Sequence, residues 1–271
     1  MESAMTTIQW RDGNWLESCV IQATHEVLTG QGVFETILVD EGTPLFLNLH
    51  LNRLSNSSEI LGIAPPDVDV ITAGIHQLLR IHNNQPARLR VSLFGGTPEP
   101  VLMASLVTMD PWPTSASVLV SPWTRNENSA ITGAKSASYA ENAIALKKAK
   151  DLGYCETLFF TSGGHLAEAA TSNIAVVVDA RVLTPALRSG CLPGITRAIL
   201  LELGVVSESD IDTQMLGRAN AAALLSSTRG VQPLHALGDR ELNTENDLLA
   251  GLVIAYEVRV KQEKENWAGL H

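Results

Sequence analysis

The stretch Gly133–Ala149, GAKSASYAENAIALKKA, decides how this chain is interpreted. Lys135 is the only charged residue between Asn128 and Ala140. A lysine among small and apolar residues can lose its water shell, which favours the free amine that Schiff-base chemistry requires. The stretch predicts a loop that leads into a helix over 137–152, with Lys135 at the junction. For a single lysine considered alone, an ordinary surface position is the simpler interpretation.

Glu168 is the second candidate for chemistry. It is the only acidic residue between Glu156 and Asp179, in a predicted hairpin over 156–178 whose other residues are mostly apolar or small. A carboxylate on a largely buried strand needs a cationic partner. A protonated pyridine nitrogen is one such partner, and a salt bridge within the protein is another. Taken alone, Glu168 is explained more simply by a salt bridge or an exposed strand face than by a role in catalysis.

Two further segments are suited to binding an anion. Leu192–Arg197, LPGITR, precedes an apolar helix, and the first N–H groups of a helix are unpaired and carry the positive end of its dipole. Thr196 adds a hydroxyl there. Ser226–Gly230, SSTRG, follows the apolar run Ala221–Leu225 and offers three hydroxyls and an arginine. An ordinary helix start and a polar turn are the alternatives.

Composition and charge exclude several classes of partner. The formal net charge is -10 and the pI is near 5.1, so nucleic acid and anionic membranes are not expected to bind. Three cysteines without a C-x-x-C motif indicate neither a disulfide framework nor a metal site. No signal peptide and no apolar run of about 20 residues is evident, which predicts a cytoplasmic protein.

The predicted elements favour an α+β fold with two domains. Helices and strands alternate without the regular rhythm of a doubly wound sheet. Two prolines in Asp110–Ser115, DPWPTS, mark a linker. We therefore predict a small N-terminal domain at 1–112 and a larger C-terminal domain at 113–271. Helices are predicted at 48–62, 67–81, 137–152, 194–204 and 209–220, and strands at 6–20, 33–39, 87–94, 101–108, 116–121 and 222–236.

Taken in order, these segments resemble the class IV aminotransferases, the fold type IV enzymes that use pyridoxal 5′-phosphate (PLP). That family includes branched-chain and D-amino-acid aminotransferases and 4-amino-4-deoxychorismate lyases. The resemblance runs from about Gly30 to Leu234 and implies a D-amino-acid aminotransferase-like fold with a PLP-binding C-terminal domain. It rests on five stretches, which are Gly32–Thr36, His50–Leu54, Gly133–Ala149, Glu168–Asn173 and Leu183–Arg197.

The resemblance also assigns roles to individual residues. It implies that Lys135 is the catalytic lysine that holds PLP as a Schiff base, and that Glu168 keeps the pyridine nitrogen protonated. The phosphate would be bound by Arg53, Ile195, Thr196 and Ser227, and Tyr139 would lie near the cofactor's phenolic oxygen. Candidates for the substrate carboxylate are Arg90, Thr228 and Arg229. Gln31, Ala169 and Ala175 depart from the family pattern, which weakens any transfer of substrate specificity.

Three functions stay open at this point. Ser227–Pro233, STRGVQP, resembles the lyase segment more than the aminotransferase segment, so the sequence leans towards release of 4-aminobenzoate and pyruvate from aminodeoxychorismate, a step of folate biosynthesis. Transamination of a branched-chain or D-amino acid is the alternative, and a PLP-binding protein without turnover is the third. The resemblance also implies a homodimer that acts on a small amino substrate and carries no metal.

Overall fold

A computed structural model describes residues 5–17, 24–65, 67–82, 84–96 and 100–269. The chain divides into two compact units. The first unit comprises Met1–Pro111, Ala134–Ser138 and Asn266–His271, and the second comprises Trp112–Gly133 and Tyr139–Glu265. The division into domains at residues 112 and 113 stays a prediction. The segment that carries Lys135 is counted with the first unit, although the chain on both sides of it belongs to the second.

The first unit is built on a six-stranded antiparallel sheet. Its strands are β1 (Thr6–Arg11), β2 (Asn14–Leu16), β3 (Gly32–Asp40), β4 (Thr43–Pro44), β5 (Ala87–Phe94) and β6 (Val101–Thr108). They lie in the order β2-β1-β6-β5-β3-β4. Val33, Ile37 and Val39 of β3 are fully buried.

Three helices accompany this sheet, namely α1 (His25–Leu28), α2 (Leu47–Ile60) and α3 (Val68–Arg80). Asp67 caps α3 by accepting hydrogen bonds from the N–H groups of Asp69 and Val70. On α3, Ile71, Ile75 and Leu78 recur at helical spacing and are fully buried in one core with the apolar residues of the sheet. This core fixes α2 and α3, and α2 carries Arg53.

The second unit contains a nine-stranded mixed sheet. Its strands are β7 (Ala116–Val120), β8 (Glu156–Phe160), β9 (Leu166–Ala169), β10 (Asn173–Val178), β11 (Arg181–Pro185), β12 (Ser207–Ser209), β13 (Ala221–Ser226), β14 (Gly230–Leu237) and β15 (Arg240–Glu241). The order is β12-β11-β10-β13-β14-β7-β8-β9, with β15 paired to β14. β7 pairs in parallel with both β8 and β14. All six residues of β10 are buried, which fits a central strand.

Four helices belong to the rest of the chain, namely α4 (Ala140–Asp151), α5 (Ile195–Glu202), α6 (Thr213–Arg218) and α7 (Asp247–Ala268). α4 and α5 begin after segments that the sequence singled out, with Lys135 five residues before α4 and Leu192–Gly194 directly before α5. Two of the segments that the sequence singled out thus lie directly before the first turn of a helix or close to it.

The predicted α+β class and fold type are confirmed. The structure corrects several details, since α4 begins at Ala140 rather than 137 and the segment predicted as one helix at 209–220 holds the shorter α6. Helix α7, which has 22 residues, was not predicted. The end of the predicted first hairpin, 18–20, lies outside the described residues. Among the described residues, no helix is long and apolar enough to cross a membrane.

Candidate active site

Lys135 is held in the first unit through its backbone. Its carbonyl accepts a hydrogen bond from the N–H of Phe34 at 2.9 Å, and its own N–H donates to Ser57 Oγ at 3.1 Å. The next residue, Ser136, forms an isolated β-bridge with Val33. The Nζ atom lies 4.7 Å from the centroid of the Phe34 ring. The amine is therefore positioned over an aromatic face, which attracts its cationic form.

Arg90 reaches the same aromatic ring. Its guanidinium carbon lies 3.8 Å from the centroid of Phe34, and its Nε donates to Ser92 Oγ at 3.2 Å. Arg90 itself is exposed on β5. The structure therefore brings two of the predicted site residues, Lys135 and Arg90, together over the ring of Phe34. An amine and an exposed guanidinium that share one aromatic neighbour suit a substrate that carries both an amino group and a carboxylate.

Arg53 lies on α2 in a buried ion pair. Its Nε and Nη2 donate to the two oxygens of Glu35 at 2.8 and 2.7 Å, and His50 Nδ1 lies 2.7 Å from Glu35 Oε2. The side chains of Glu35 and His50 are fully buried. Burial alone would raise the pKa of Glu35, but the charge and hydrogen bonds of Arg53, helped by His50, lower that pKa to about 2. Burial lowers the pKa of His50, so the imidazole is neutral and donates.

Glu168 lies in the second unit, on β9, with its side chain 12% exposed. Its Oε2 accepts a hydrogen bond from the N–H of Leu192 at 2.9 Å, and its Oε1 lies 3.3 Å from Arg125 Nη2. The buried carboxylate thus has the cationic neighbour that the sequence required, and this neighbour is an arginine of the chain.

The backbone of Leu192 joins Glu168 to the start of α5. Its N–H donates to Glu168, and its carbonyl accepts from Asn173 Nδ2 at 2.9 Å. Gly194 then forms the N-cap of α5, with no side chain capping the first N–H groups. A Cβ at Gly194 would lie 1.9 Å from Asn173 Oδ1, so a larger residue there would force the Asn173 amide to move. Thr196, in the first turn of α5, is 1% exposed and its Oγ1 lies 3.5 Å from Tyr256 Oη.

Tyr139 lies at the N-cap of α4 and donates a hydrogen bond to the carbonyl of Ala170 at 2.7 Å. Asn142 Nδ2 donates to the same carbonyl at 2.7 Å. Burial raises the pKa of Tyr139, and the negative charges of Glu168 and Glu156 raise it further. The hydroxyl therefore stays protonated and donates.

Ser227, Thr228 and Arg229 form the turn between β13 and β14. The side chain of Arg229 is 5% exposed, with its Nη2 3.8 Å from Glu156 Oε2 and its guanidinium 3.7 Å from the ring centroid of Trp112. Its Nη1 donates to Gln232 at 2.7 Å. Burial raises the pKa of Glu156, against a short hydrogen bond from Thr171 and the charge of Arg229. Arg229 is therefore engaged in a buried cluster of its own unit.

These residues match the functional groups of PLP. A lysine amine suits the aldehyde, and a carboxylate fixed by two partners suits a pyridine N–H. The start of α5, which no side chain caps, suits a phosphate, with the hydroxyl of Thr196 in its first turn. Each unit therefore supplies groups of the types that the cofactor needs. Among the described residues, no group of His, Cys, Asp or Glu could hold a metal ion.

Sequence reasoning missed three members of these clusters. Glu35 and His50 lie in stretches that the resemblance quoted, but only Arg53 was given a role. Arg125 was not noticed at all. The one available signal was the rule that a buried carboxylate needs a cation, and that rule does not say which of the chain's arginines supplies it.

Comparison with known proteins identifies the family. Residues 32–237 match the sequence model described as amino-transferase class IV. A branched-chain-amino-acid aminotransferase of Pseudomonas aeruginosa is 28% identical over 263 residues, covering 86% of this chain and 85% of its own length. A fold IV transaminase from Curtobacterium pusillum superposes with a TM-score of 0.83 at 26% identity, covering 96% of this chain and 99% of its own.

A further solved structure bears on the fold alone. A putative 4-amino-4-deoxychorismate lyase from Legionella pneumophila superposes with a TM-score of 0.83 at 23% identity, covering 89% of this chain and 96% of its own. At that level of identity the likeness says nothing about which reaction is catalysed. Similar backbones are thus found both in a protein described as a transaminase and in one described as a putative lyase.

Proposed function

Since this chain belongs to the amino-transferase class IV family, we propose that it moves the amino group of an α-amino acid to a 2-oxo acid, with Lys135 as the catalytic lysine. The chain is a PLP-dependent enzyme of that family. The observation that carries the proposal is the pairing in the first unit, where Lys135 Nζ and the guanidinium of Arg90 lie over the same Phe34 ring. The amine and the guanidinium that an α-amino acid needs thus contact the same aromatic ring.

The proposed roles of the chain's own residues follow from their contacts. Bound PLP supplies an aldehyde that reacts with amines and a ring that withdraws electrons. Lys135 would hold the cofactor through its Nζ, and once a substrate amine replaced it there, the same Nζ would move the proton at the substrate's α-carbon. Arg90 binds the substrate carboxylate, and the Phe34 ring sets where the amine and the guanidinium stand relative to each other.

We assign the remaining cofactor contacts to the second unit and to Arg53. Glu168 would accept the pyridine N–H, because its carboxylate is fixed by Leu192 and Arg125. Ile195, Thr196 and Ser227 would bind the phosphate, and Arg53 is proposed to join them while Glu35 keeps its guanidinium in place. Tyr139 would lie near the phenolic oxygen. Thr228 is kept as a candidate for the substrate carboxylate.

A lyase that releases 4-aminobenzoate and pyruvate is the second candidate. The Ser227–Pro233 segment favours it, as the sequence indicated. Two observations now favour transamination instead. Arg229, the cation of that segment, is engaged by Glu156, Gln232 and Trp112. Relatives from Pseudomonas aeruginosa and Rickettsia typhi that align over most of the chain carry the names branched-chain-amino-acid aminotransferase and probable branched-chain-amino-acid aminotransferase.

We further propose that the enzyme is a cytoplasmic homodimer with a small N-terminal domain at 1–112 and a PLP-binding domain at 113–271. These statements follow from the family resemblance and the linker residues. Light scattering at micromolar concentration tests the dimer, since a fully active monomer would contradict it.

The test of function begins with the cofactor. Purified protein is incubated with PLP, reduced with borohydride and digested, and mass spectrometry locates the modified lysine. We expect the label on Lys135 and its loss in Lys135→Ala. Lys147→Ala is the matched control, because Lys147 is 76% exposed and pairs only with Asp151 on its own helix.

Activity is then measured on two substrates in parallel. One assay follows 2-oxo acid formation from a panel of L- and D-amino acids with pyruvate or 2-oxoglutarate, and the other follows 4-aminobenzoate from aminodeoxychorismate. Transamination without 4-aminobenzoate supports the proposal. Release of 4-aminobenzoate without transamination would establish the lyase instead. A label on Lys135 without turnover of any substrate would leave a PLP-binding protein.

A further inference from the structure

We propose that Arg125 is a positioning residue that holds Glu168 ionised and correctly oriented to accept a pyridine N–H; the inference rests on the proposed role of Glu168. Arg125 belongs to the loop between β7 and α4, outside every segment that the family resemblance uses. Nothing in the sequence distinguishes Arg125 from the other arginines of the chain. Its position in the structure distinguishes it, because it lies beside Glu168.

The contacts of Glu168 show what Arg125 contributes. One carboxylate oxygen accepts the N–H of Leu192, and the other lies 3.3 Å from Arg125 Nη2. The side chains of Arg125 and Glu168 are 13% and 12% exposed, so water screens this pair poorly. The guanidinium favours the ionised form of Glu168, and a neutral Glu168 would not favour a protonated pyridine nitrogen.

Arg125 is itself fixed from three sides. Its Nη1 donates to Glu141 Oε2 at 3.0 Å and to Asn142 Oδ1 at 3.3 Å, both on α4. Its guanidinium lies 4.4 Å from the ring centroid of Phe159. Phe159 stands directly opposite Glu168 in the β8–β9 register, so one strand pair places both the ring under the guanidinium and the carboxylate beside it.

The nitrogen atoms of the Arg125 guanidinium differ in their hydrogen bonding. Nη1 is used by α4, whereas Nε and Nη2 are buried and form no hydrogen bond. Nη2 therefore faces Glu168 as a charge at ion-pair distance rather than as a hydrogen-bond donor. An arginine that served only to neutralise Glu168 would be expected to bind it through two hydrogen bonds, as Arg53 binds Glu35.

The test compares two ligands that differ only at the ring nitrogen, PLP and 1-deaza-PLP, in which a C–H replaces that nitrogen. Their dissociation constants are measured by absorbance titration of the apoprotein. We expect wild type to prefer PLP by about tenfold and Arg125→Gln to reduce this preference to about twofold. Arg125→Lys should restore most of it, because the charge returns. Glu141→Gln, which removes an outer partner of Arg125, should keep the wild-type preference.

The double variant Arg125→Gln/Glu168→Gln removes both charges and leaves no unpaired buried ion, so it provides the comparison even if Arg125→Gln alone does not fold. We expect the double variant to match Glu168→Gln in both dissociation constants. A double variant that binds PLP much more weakly than Glu168→Gln would overturn the inference, as would a parallel loss of both ligands in Arg125→Gln.

Failure of the inference and failure of the proposed function give different results. If borohydride does not fix PLP on Lys135 in wild type, the proposed function fails. If it does, and Glu168→Gln abolishes the preference for PLP while Arg125→Gln leaves it intact, only the role of Arg125 is refuted.

Discussion

Replacement of Glu35 by glutamine is the sharpest test of the buried cluster in the first unit. The folded-state pKa of Glu35 is about 2, against an ordinary value of 4.5. A depressed pKa means that the carboxylate stabilises the fold at every pH above about 4.5 and that this contribution is lost as the pH falls towards 2. At 1.36 kcal/mol per pH unit, the contribution is about 3 kcal/mol.

Glu35→Gln removes this contribution and leaves the guanidinium of Arg53 buried without its carboxylate. Breaking a buried pair in this way costs about 3–5 kcal/mol. We therefore expect the variant to be less stable than wild type by roughly that amount at pH 6. The difference should shrink by about 3 kcal/mol at pH 2, where folded wild type has lost about half of the charge and most of its stabilising effect. Burial lowers the pKa of His50 as well, but His50 is present in both proteins.

Urea unfolding measures the difference if the signal comes from the first unit. Trp10 and Trp15 pack against the core of that unit, so their fluorescence is followed in a background with phenylalanine at Trp112 and Trp123. Glu59→Gln is the control, because Glu59 is an exposed glutamate on the same helix as Arg53. A wild-type advantage over Glu35→Gln that is equal at pH 6 and pH 2 would refute the reasoning.

Three shorter predictions concern other contacts. Gly194→Ala would place its Cβ 1.9 Å from Asn173 Oδ1, so we expect its affinity for PLP, measured by absorbance titration, to fall about tenfold or more. The control is Gly217→Ala, where nothing lies within 4 Å of the new Cβ, and it should bind PLP as wild type does. Equal PLP affinities of the two variants would contradict the tight fit. Arg90→Gln should raise the KM for the amino acid about tenfold in steady-state assays while PLP still binds, and an unchanged KM would exclude Arg90 from the substrate site. Thr184→Val removes a hydroxyl that donates to a buried carbonyl at 2.8 Å, so it should cost about 1 kcal/mol in urea unfolding with no change in activity, and an unchanged midpoint would contradict that.

The sequence predicted most strands and helices because their apolar residues recur at clear periods. β3 and β5 alternate or bury almost every position, and α3 carries buried residues at 71, 75 and 78. Helix α7 was missed for the opposite reason. It buries Leu249, Leu252 and Tyr256 along one side, but Ile254 and Val258 are exposed on other sides, so no single apolar stripe stands out.

The site was predictable in its residue types but not in its grouping. Lys135 and Glu168 stood out because each was the only charge in an uncharged stretch. The sequence could not show that Lys135 belongs to the first unit. The hydrogen bonds that attach it there join Lys135 to Ser57 and Phe34, which lie 78 and 101 positions away along the chain. Pairing over such separations depends on tertiary packing, which local pattern does not encode.

Two buried carboxylates that pair with arginines, Glu35 and Glu156, explain why roles are hard to carry over from motifs. Arg53 and Arg229 were both assigned to bind anionic ligands, yet Glu35 binds one through two hydrogen bonds and Glu156 lies 3.8 Å from the other. A motif records that an arginine is present, whereas its free donors depend on which acidic side chain is buried beside it. Arg90, which is exposed and contacts the same Phe34 ring as the amine of Lys135, is therefore the stronger candidate for the substrate carboxylate, although no motif distinguished it from Arg229.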